Sequence, residues 1–95
     1  MKYISYDFEW DDENILHATE HGVSTIESEE CFGNENLVIA KPKSVKIHGE
    51  QRYYLLGRTN GGFPVFLVFK KLSKDKVRII SARRMTKAEE EKYDI

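Results

Sequence analysis

The sequence predicts an α+β fold: an antiparallel sheet of about four to five strands, two helices in the N-terminal half and a C-terminal helix. Three observations carry this reading. A helix-prone segment with capping residues spans residues 11–33. Apolar runs of strand length, separated by tight-turn signals, fill residues 37–83. A further capping signature at Thr86 opens a charged tail. Helices grouped ahead of hairpin-linked strands make an α+β rather than an alternating α/β chain. At 95 residues the chain is expected to be one domain over residues 1–95, large enough for a single core without disulfides.

The elements follow in order. Tyr3, Ile4, Tyr6, Phe8 and Trp10 stand at near-alternating spacing, so residues 3–10 read as a strand. Asp11 and Asp12 supply an N-cap and a first-turn acid, Ile15, Leu16, Ala18 and Thr19 an apolar stripe, and Gly22 a stop. Ser24 with Glu27 forms a capping box for a second helix. Ile26, Cys31 and Phe32 give that helix its apolar face, and Gly33-Asn34 ends it. Residues 37–40 are a short strand halted before Pro42, and residues 43–49 read as a second strand or as an exposed basic loop. Residues 51–58 and 64–71 are strands around Asn60-Gly61-Gly62, a hairpin signal. A polar turn over 73–76 leads into a strand over 77–83, and the capping pair Thr86 and Glu89 starts a helix running to about Tyr93.

The net charge of −1 conceals blocks. Residues 1–36 hold one base and ten acids, residues 37–88 thirteen bases and two acids, and residues 89–95 one base and four acids. A basic surface for a polyanion and an acidic surface elsewhere is one outcome; blocks that interleave and cancel on folding are the other. The lone Cys31 excludes an internal disulfide and fits a reducing compartment. No apolar run approaches membrane-spanning length and the N-terminus has no signal-peptide profile, so a soluble cytoplasmic protein is expected.

Chemistry concentrates where the strand over 77–83 meets the last helix, at Ser81-Ala82-Arg83-Arg84. Arginines on a stiff base bind phosphate through paired N–H donors. Alternation puts Arg52, Tyr54, Leu56 and Arg58 on one sheet face and sends Arg83 and Arg84 to opposite faces, so one of that pair joins Arg58. Arginine beside tyrosine suits RNA, by phosphate contact and base stacking; a solvated face whose arginines pair with the acidic helices is the alternative. Arg52, Tyr54, Arg84 and Lys87 are the RNA-contact candidates. His17 and His21 share the i, i+4 spacing of metal-binding helices but lack a glutamate after the first histidine and a third ligand, and His21 also suits a helix C-terminus. His48, before Gly49 in the basic block, has the titration range of an acid or base, as well as the look of a loop histidine. Glu89 and Tyr93 share one face of the last helix, where they serve as cap and core anchor or assist proton transfer. Cys31 lacks an activating neighbourhood.

Phe8-Glu9-Trp10-Asp11, His21-Gly22-Val23-Ser24, Gly57-Arg58-Thr59 before a glycine turn, Arg78-Ile79-Ile80-Ser81-Ala82-Arg83, and then Thr86, Glu89 and Tyr93 together resemble the BrnT toxins, in order and over nearly the whole chain. The resemblance implies a fold like that of the RelE ribonucleases and the toxin half of a type II toxin–antitoxin pair. It implies RNA cleavage without a metal or other cofactor, arrest of translation, and neutralisation by a BrnA-like ribbon-helix-helix antitoxin. DNA would be bound only through the antitoxin complex, and no membrane is involved. Arg58, Arg83, Glu89 and Tyr93 match the family's pattern, and His48 matches it loosely. The chain departs from the pattern at Asn14 and Glu20, where many members carry lysine, so no role for lysines of the first helix transfers. It also carries Arg84 where its nearest branch often has aspartate. A catalytically inactive module on the same scaffold, binding a protein or nucleic acid, is the alternative reading.

Overall fold

In the computed structural model, which describes residues 6–40, 46–47 and 49–94, the chain runs β1 (Asp7–Phe8), α1 (Asp12–Thr19), α2 (Thr25–Gly33), β2 (Asn36–Ala40), β3 (Lys46–Ile47), β4 (Glu50–Gln51), β5 (Tyr53–Arg58), β6 (Pro64–Lys71), β7 (Lys76–Arg84) and α3 (Lys87–Tyr93). Five strands form one sheet in the order β1-β7-β6-β5-β2, and β3 with β4 forms a separate short ribbon. The tight turns dictate antiparallel pairing of β5 with β6 and of β6 with β7, and β2 is antiparallel to β5. The expectation of an antiparallel sheet needs one correction: β1 lies parallel to β7, so the sheet is mixed. Pairing of the first strand with the last is non-local, and no turn residue reports its direction. Within the basic stretch expected as strand or loop, Lys46–Ile47 pairs with Glu50–Gln51, while residues 41–45 and His48 lie outside the described residues. The strand expected over 51–58 is broken at Arg52, between β4 and β5.

The three helices among the described residues begin with reciprocal side-chain caps. Asp11, Ser24 and Thr86 each accept from the backbone N–H three residues on, while Asn14, Glu27 and Glu89 accept in return from the cap residue. Each such cap contributes about 1 kcal/mol. Gly22, at φ +88°, closes the α1–α2 corner by donating to the Thr19 carbonyl at 3.0 Å.

The helix α2 packs on one face of the sheet, and α1 lies along β7 with Ala18 turned into the same core. There Ala18, Val23 and Cys31 meet Leu55, Val65, Leu67, Phe69, Val77, Ile79 and Ala82. Burying each of the larger aliphatic side chains contributes about 1.5–3 kcal/mol. Phe32 locks the end of α2 into this core by edge-on contacts with Tyr6, Phe8 and Phe69 at 5.1–5.4 Å.

Of the apolar stripe expected on α1, Ala18 is buried in the core, but Ile15 and Leu16 are turned outward. Asn14 and Ala18 are the buried residues of the helix, whereas Leu16 is 69% exposed and Ile15 lies at the surface. The reason is polar. The Asn14 amide donates to Glu9 O at 2.9 Å and to Ile79 O at 3.1 Å, which fixes the 14/18 edge of the helix against β7. Ile15 and Leu16, roughly 100° and 200° further round, must then face away. On α2, Cys31 and Phe32 face the core as expected, but Ile26 does not.

The strand β7 contains a bulge. Val68 pairs with Ser81 but Phe69 pairs with Ile79, leaving Ile80 as the extra residue. Consequently Val77, Ile79 and Ala82 all reach the core despite the odd spacing between Ile79 and Ala82.

Candidate functional site

The sheet face opposite α2 carries Arg52, Arg58, Lys70, Arg78 and Arg83. Register aligns Leu37, Leu56, Phe66 and Arg83 in one row across β2, β5, β6 and β7. Arg58, paired with Pro64, stands two residues beyond Leu56 on the same face. The short helix α3 crosses this end of the sheet and meets both arginines through successive residues, Glu89 and Glu90.

Arg83 makes a two-pronged contact with Glu89: Nη1 donates to Oε1 at 2.7 Å and Nη2 to Oε2 at 2.8 Å. Its guanidinium lies 4.7 Å from the centre of the Phe66 ring. Glu89 Oε1 also accepts the Thr86 backbone N–H at 2.9 Å. These donors, Arg83 foremost, hold the Glu89 carboxyl at about 2, and the Glu89 carboxylate in turn raises Arg83 above the ordinary arginine value. Glu89 thus caps α3 and anchors Arg83 at once.

Arg58 is held more loosely. Nη1 donates to the Gly62 carbonyl at 2.8 Å, and Nη2 stands 3.8 Å from Glu90 Oε1. Gly62 adopts φ +87° within a turn closed by Thr59 N–H to Phe63 O at 2.9 Å. Asn34 and Glu30 of the α2 region tie that turn down through Arg58 O, Asn60 Oδ1 and Asn60 N–H at 2.9–3.0 Å. A cleft of about 300 Å³ is lined by Arg58, Tyr93, Asp94, Glu35, Asn36 and Leu37. Among the residues singled out from sequence, Arg58, Arg83, Glu89 and Tyr93 thus gather at one end of one sheet face. His48 lies outside the described residues.

The four RNA-contact candidates are dispersed. Tyr54 packs on Phe66 with ring centres 5.1 Å apart, in the middle of the same face. Arg52 lies at its far end with Lys70 and Arg78, lining a cavity of about 190 Å³ shared with Glu13, Asn14, His17 and Ile80. Arg84 turns to the helical side, 4.1 Å from the Phe63 ring centre and 3.9 Å from Glu27. Lys87 is exposed at the start of α3. The chain's five arginines each have a carboxylate within 4 Å. The acidic and basic blocks therefore interleave on folding, and the tightest pairs are at Arg78 and Arg83.

Arg78, Lys70 and Phe66 were not singled out by sequence. Arg78 is five residues from Arg83, an odd spacing that alternation assigns to the opposite face; the bulge at Ile80 brings both to the same one. Arg78 binds Glu9 at 3.0 Å and Asp11 at 2.7 Å and holds the Asp11 carboxyl at about 2. His17 and His21 both lie near Glu20, at 3.8 and 3.2 Å, and the described residues contain no cluster of three or more metal-ligating side chains. Burial, with Glu30 and Glu27 nearby, pushes the Cys31 thiol up to about 12.

This mixed five-stranded sheet with its three described helices has the fold of a solved ribonuclease toxin. The crystal structure of the ribonuclease toxin BrnT from Brucella abortus, at 1.1 Å resolution, has a similar fold; the match covers 90% of this chain and 100% of that one, with a TM-score of 0.55 and 15% identity. The family model described as the ribonuclease toxin BrnT of type II toxin–antitoxin systems matches residues 10–89. The chain belongs to that family, whose toxins pair with an antitoxin. Comparison with curated proteins gives no match. The matched span includes Arg58, Arg83 and Glu89 and stops short of Tyr93. No described helix is long and apolar enough to cross a membrane.

Proposed function

We propose that this chain is a metal-independent endoribonuclease that cuts RNA in the cytoplasm and thereby arrests translation. The observation that carries the reading is the pair of part-exposed arginines, Arg58 and Arg83, on one sheet face under α3, within a family of ribonuclease toxins. In this mechanism the RNA 2′-hydroxyl attacks the adjacent phosphorus, the O2′–P bond forms and the P–O5′ bond breaks. Negative charge builds on the phosphoryl oxygens in the transition state, and fixed guanidinium donors stabilise it more than the ground state. Arg83 is the principal donor, preset by Glu89 and Phe66. Arg58 is the second, and its single loose carboxylate contact at 3.8 Å leaves N–H groups for phosphate.

Glu89 is a positioning residue rather than a proton carrier, because Arg83 engages both of its oxygens and a carboxylate held at about 2 is a weak base. Tyr93, in the cleft with Arg58, is the proton-transfer group we assign among the described residues; His48 keeps that role on sequence grounds. Tyr54 and Arg52 extend RNA contact along the face, with Arg84 and Lys87 as peripheral contacts. A BrnA-like ribbon-helix-helix antitoxin is the partner in this reading, and DNA is bound only through that complex.

One observation favours the alternative, an inactive binding module: every arginine already has a carboxylate neighbour, so an incoming phosphate must compete with it. Induced expression separates the two. A nuclease arrests growth and fragments messages, cleaves purified RNA in the presence of a chelator, and loses about 10²–10³-fold of that rate on Arg83→Ala. Unaltered cleavage by a folded Arg83→Ala protein would falsify the assignment of Arg83; a wild type that neither arrests growth nor cuts RNA is a binding module.

A further inference from the structure

We infer that β2 is a self-association edge, through which two copies of the chain pair antiparallel and fuse their sheets. The strand β2 ends the sheet order, with β5 as its lateral neighbour among the described residues. Sheet edges are ordinarily guarded by charge, proline, a bulge or extreme shortness. The opposite edge follows that rule, since β1 has two residues and is surrounded by Asp7, Glu9 and Asp11. Within its described residues, Asn36–Ala40, β2 has no charge, proline or bulge, and the charged and proline residues Glu35 and Lys41-Pro42-Lys43 lie only at its two ends in the sequence. Its sequence is Asn-Leu-Val-Ile-Ala, and its pairing with β5 runs without a bulge over all five residues. Leu37 and Val38 are 42% and 49% exposed although they stand on opposite faces of the sheet, so apolar surface is open on both sides of one strand.

The strand is self-complementary. A two-fold axis at Val38 sets Val38 against Val38 of the second copy, Leu37 against Ile39 and Asn36 against Ala40, with no like charges opposed. Antiparallel pairing keeps partners on the same face, so Leu37 and Ile39 continue the outer row and the two arginine-bearing faces lie on one side of the joined sheet. The symmetric, isologous contact is the commonest kind between identical chains.

The test is sedimentation velocity on the purified chain without any partner protein, beside two edge variants. The expected result is a concentration-dependent species of twice the 11.1 kDa chain mass. Val38→Lys should return it to the monomer with an unchanged circular dichroism spectrum. Under oxidation, Val38→Cys should cross-link to its mate, because directly opposed residues bring their Cα atoms to about 4.5–5.5 Å, within disulfide reach. The buried Cys31 should not cross-link. A wild-type chain that stays monomeric up to millimolar concentration overturns the inference and leaves the edge to an antitoxin segment. A dimer that survives Val38→Lys, or that cross-links through Leu16→Cys and not Val38→Cys, overturns it as well and moves the contact to the exposed apolar residues of the helices.

Discussion

Glu89→Gln separates the two roles of Glu89. Glutamine keeps the length of the side chain and an oxygen that can accept the Thr86 N–H, so the cap largely survives. What is lost is the charged, two-pronged hold on Arg83 at 2.7 and 2.8 Å. Because Arg83 is 42% exposed, solvent screens the pair, and its contribution belongs near the top of the surface range, about 1 kcal/mol. For a domain of this size that lowers Tm by roughly 4–8 °C. The catalytic effect is larger, since an arginine free to leave its place over Phe66 forfeits its preset position, which costs roughly 10–100-fold in kcat. Thr86→Ala is the matched control. It removes the cap at a similar cost of about 1 kcal/mol and leaves the Arg83–Glu89 contact in place. The assay is single-turnover cleavage of a labelled RNA together with thermal melting of each variant. The two variants should show equal losses of Tm and unequal losses of rate. The folded carboxyl, at about 2, lies below its ordinary 4.5. Its stabilisation is therefore complete above pH about 4.5 and disappears as pH falls toward 2. The Tm gap between wild type and Glu89→Gln should be constant above pH about 5 and close in acid. Equal cleavage losses in Glu89→Gln and Thr86→Ala, or wild-type cleavage by Glu89→Gln, would refute the positioning role.

Arg84→Ala should leave RNA cleavage within a few-fold of wild type, since that side chain lies on Phe63 at 4.1 Å on the helical side; a loss as large as that of Arg83→Ala would show that both arginines reach the phosphate. Asn14→Ala should cost about 2 kcal/mol, because the side chain is 3% exposed and removing it strands the Glu9 and Ile79 carbonyls. Chemical denaturation would register that as a lower midpoint with an unchanged slope. Cys31, with its thiol raised to about 12 and fully buried, should resist thiol reagents at pH 8 in the native protein and react once unfolded; rapid native labelling would contradict the packing of α2 on the sheet.

Much of this architecture is legible in the chain because its signals are local. Ser24 with Glu27 and Thr86 with Glu89 announce two helix starts, and both capping boxes form. The glycine turn after Arg58 places β5 beside β6, and alternation correctly parts Arg83 from Arg84. The illegible parts are non-local or rest on a single irregular residue. The direction of β1 depends on pairing across nearly the whole chain. The rotation of α1 depends on one buried amide outcompeting Ile15 and Leu16 for the sheet. Straight alternation would part Arg78 from Arg83, and the extra residue Ile80, where the strand skips a beat, brings them to one face. Glu90, the acid nearest Arg58, carries no signal beyond lying next to Glu89.

That skipped beat bears on how relatives of this protein should be compared. In a sheet, a side chain's face is set by counting residues, and Ile80 changes the count for everything that follows it. A relative whose strand ran through the same number of residues without a bulge would present to the outer face the position this chain fills with Arg84, and would turn the position of Arg83 toward the helices. An alignment that matched arginine to arginine by column would then equate residues on opposite sides of the sheet. For Arg83, homology of position has to be judged from the strand pairing, with Phe66 across the ladder as the landmark.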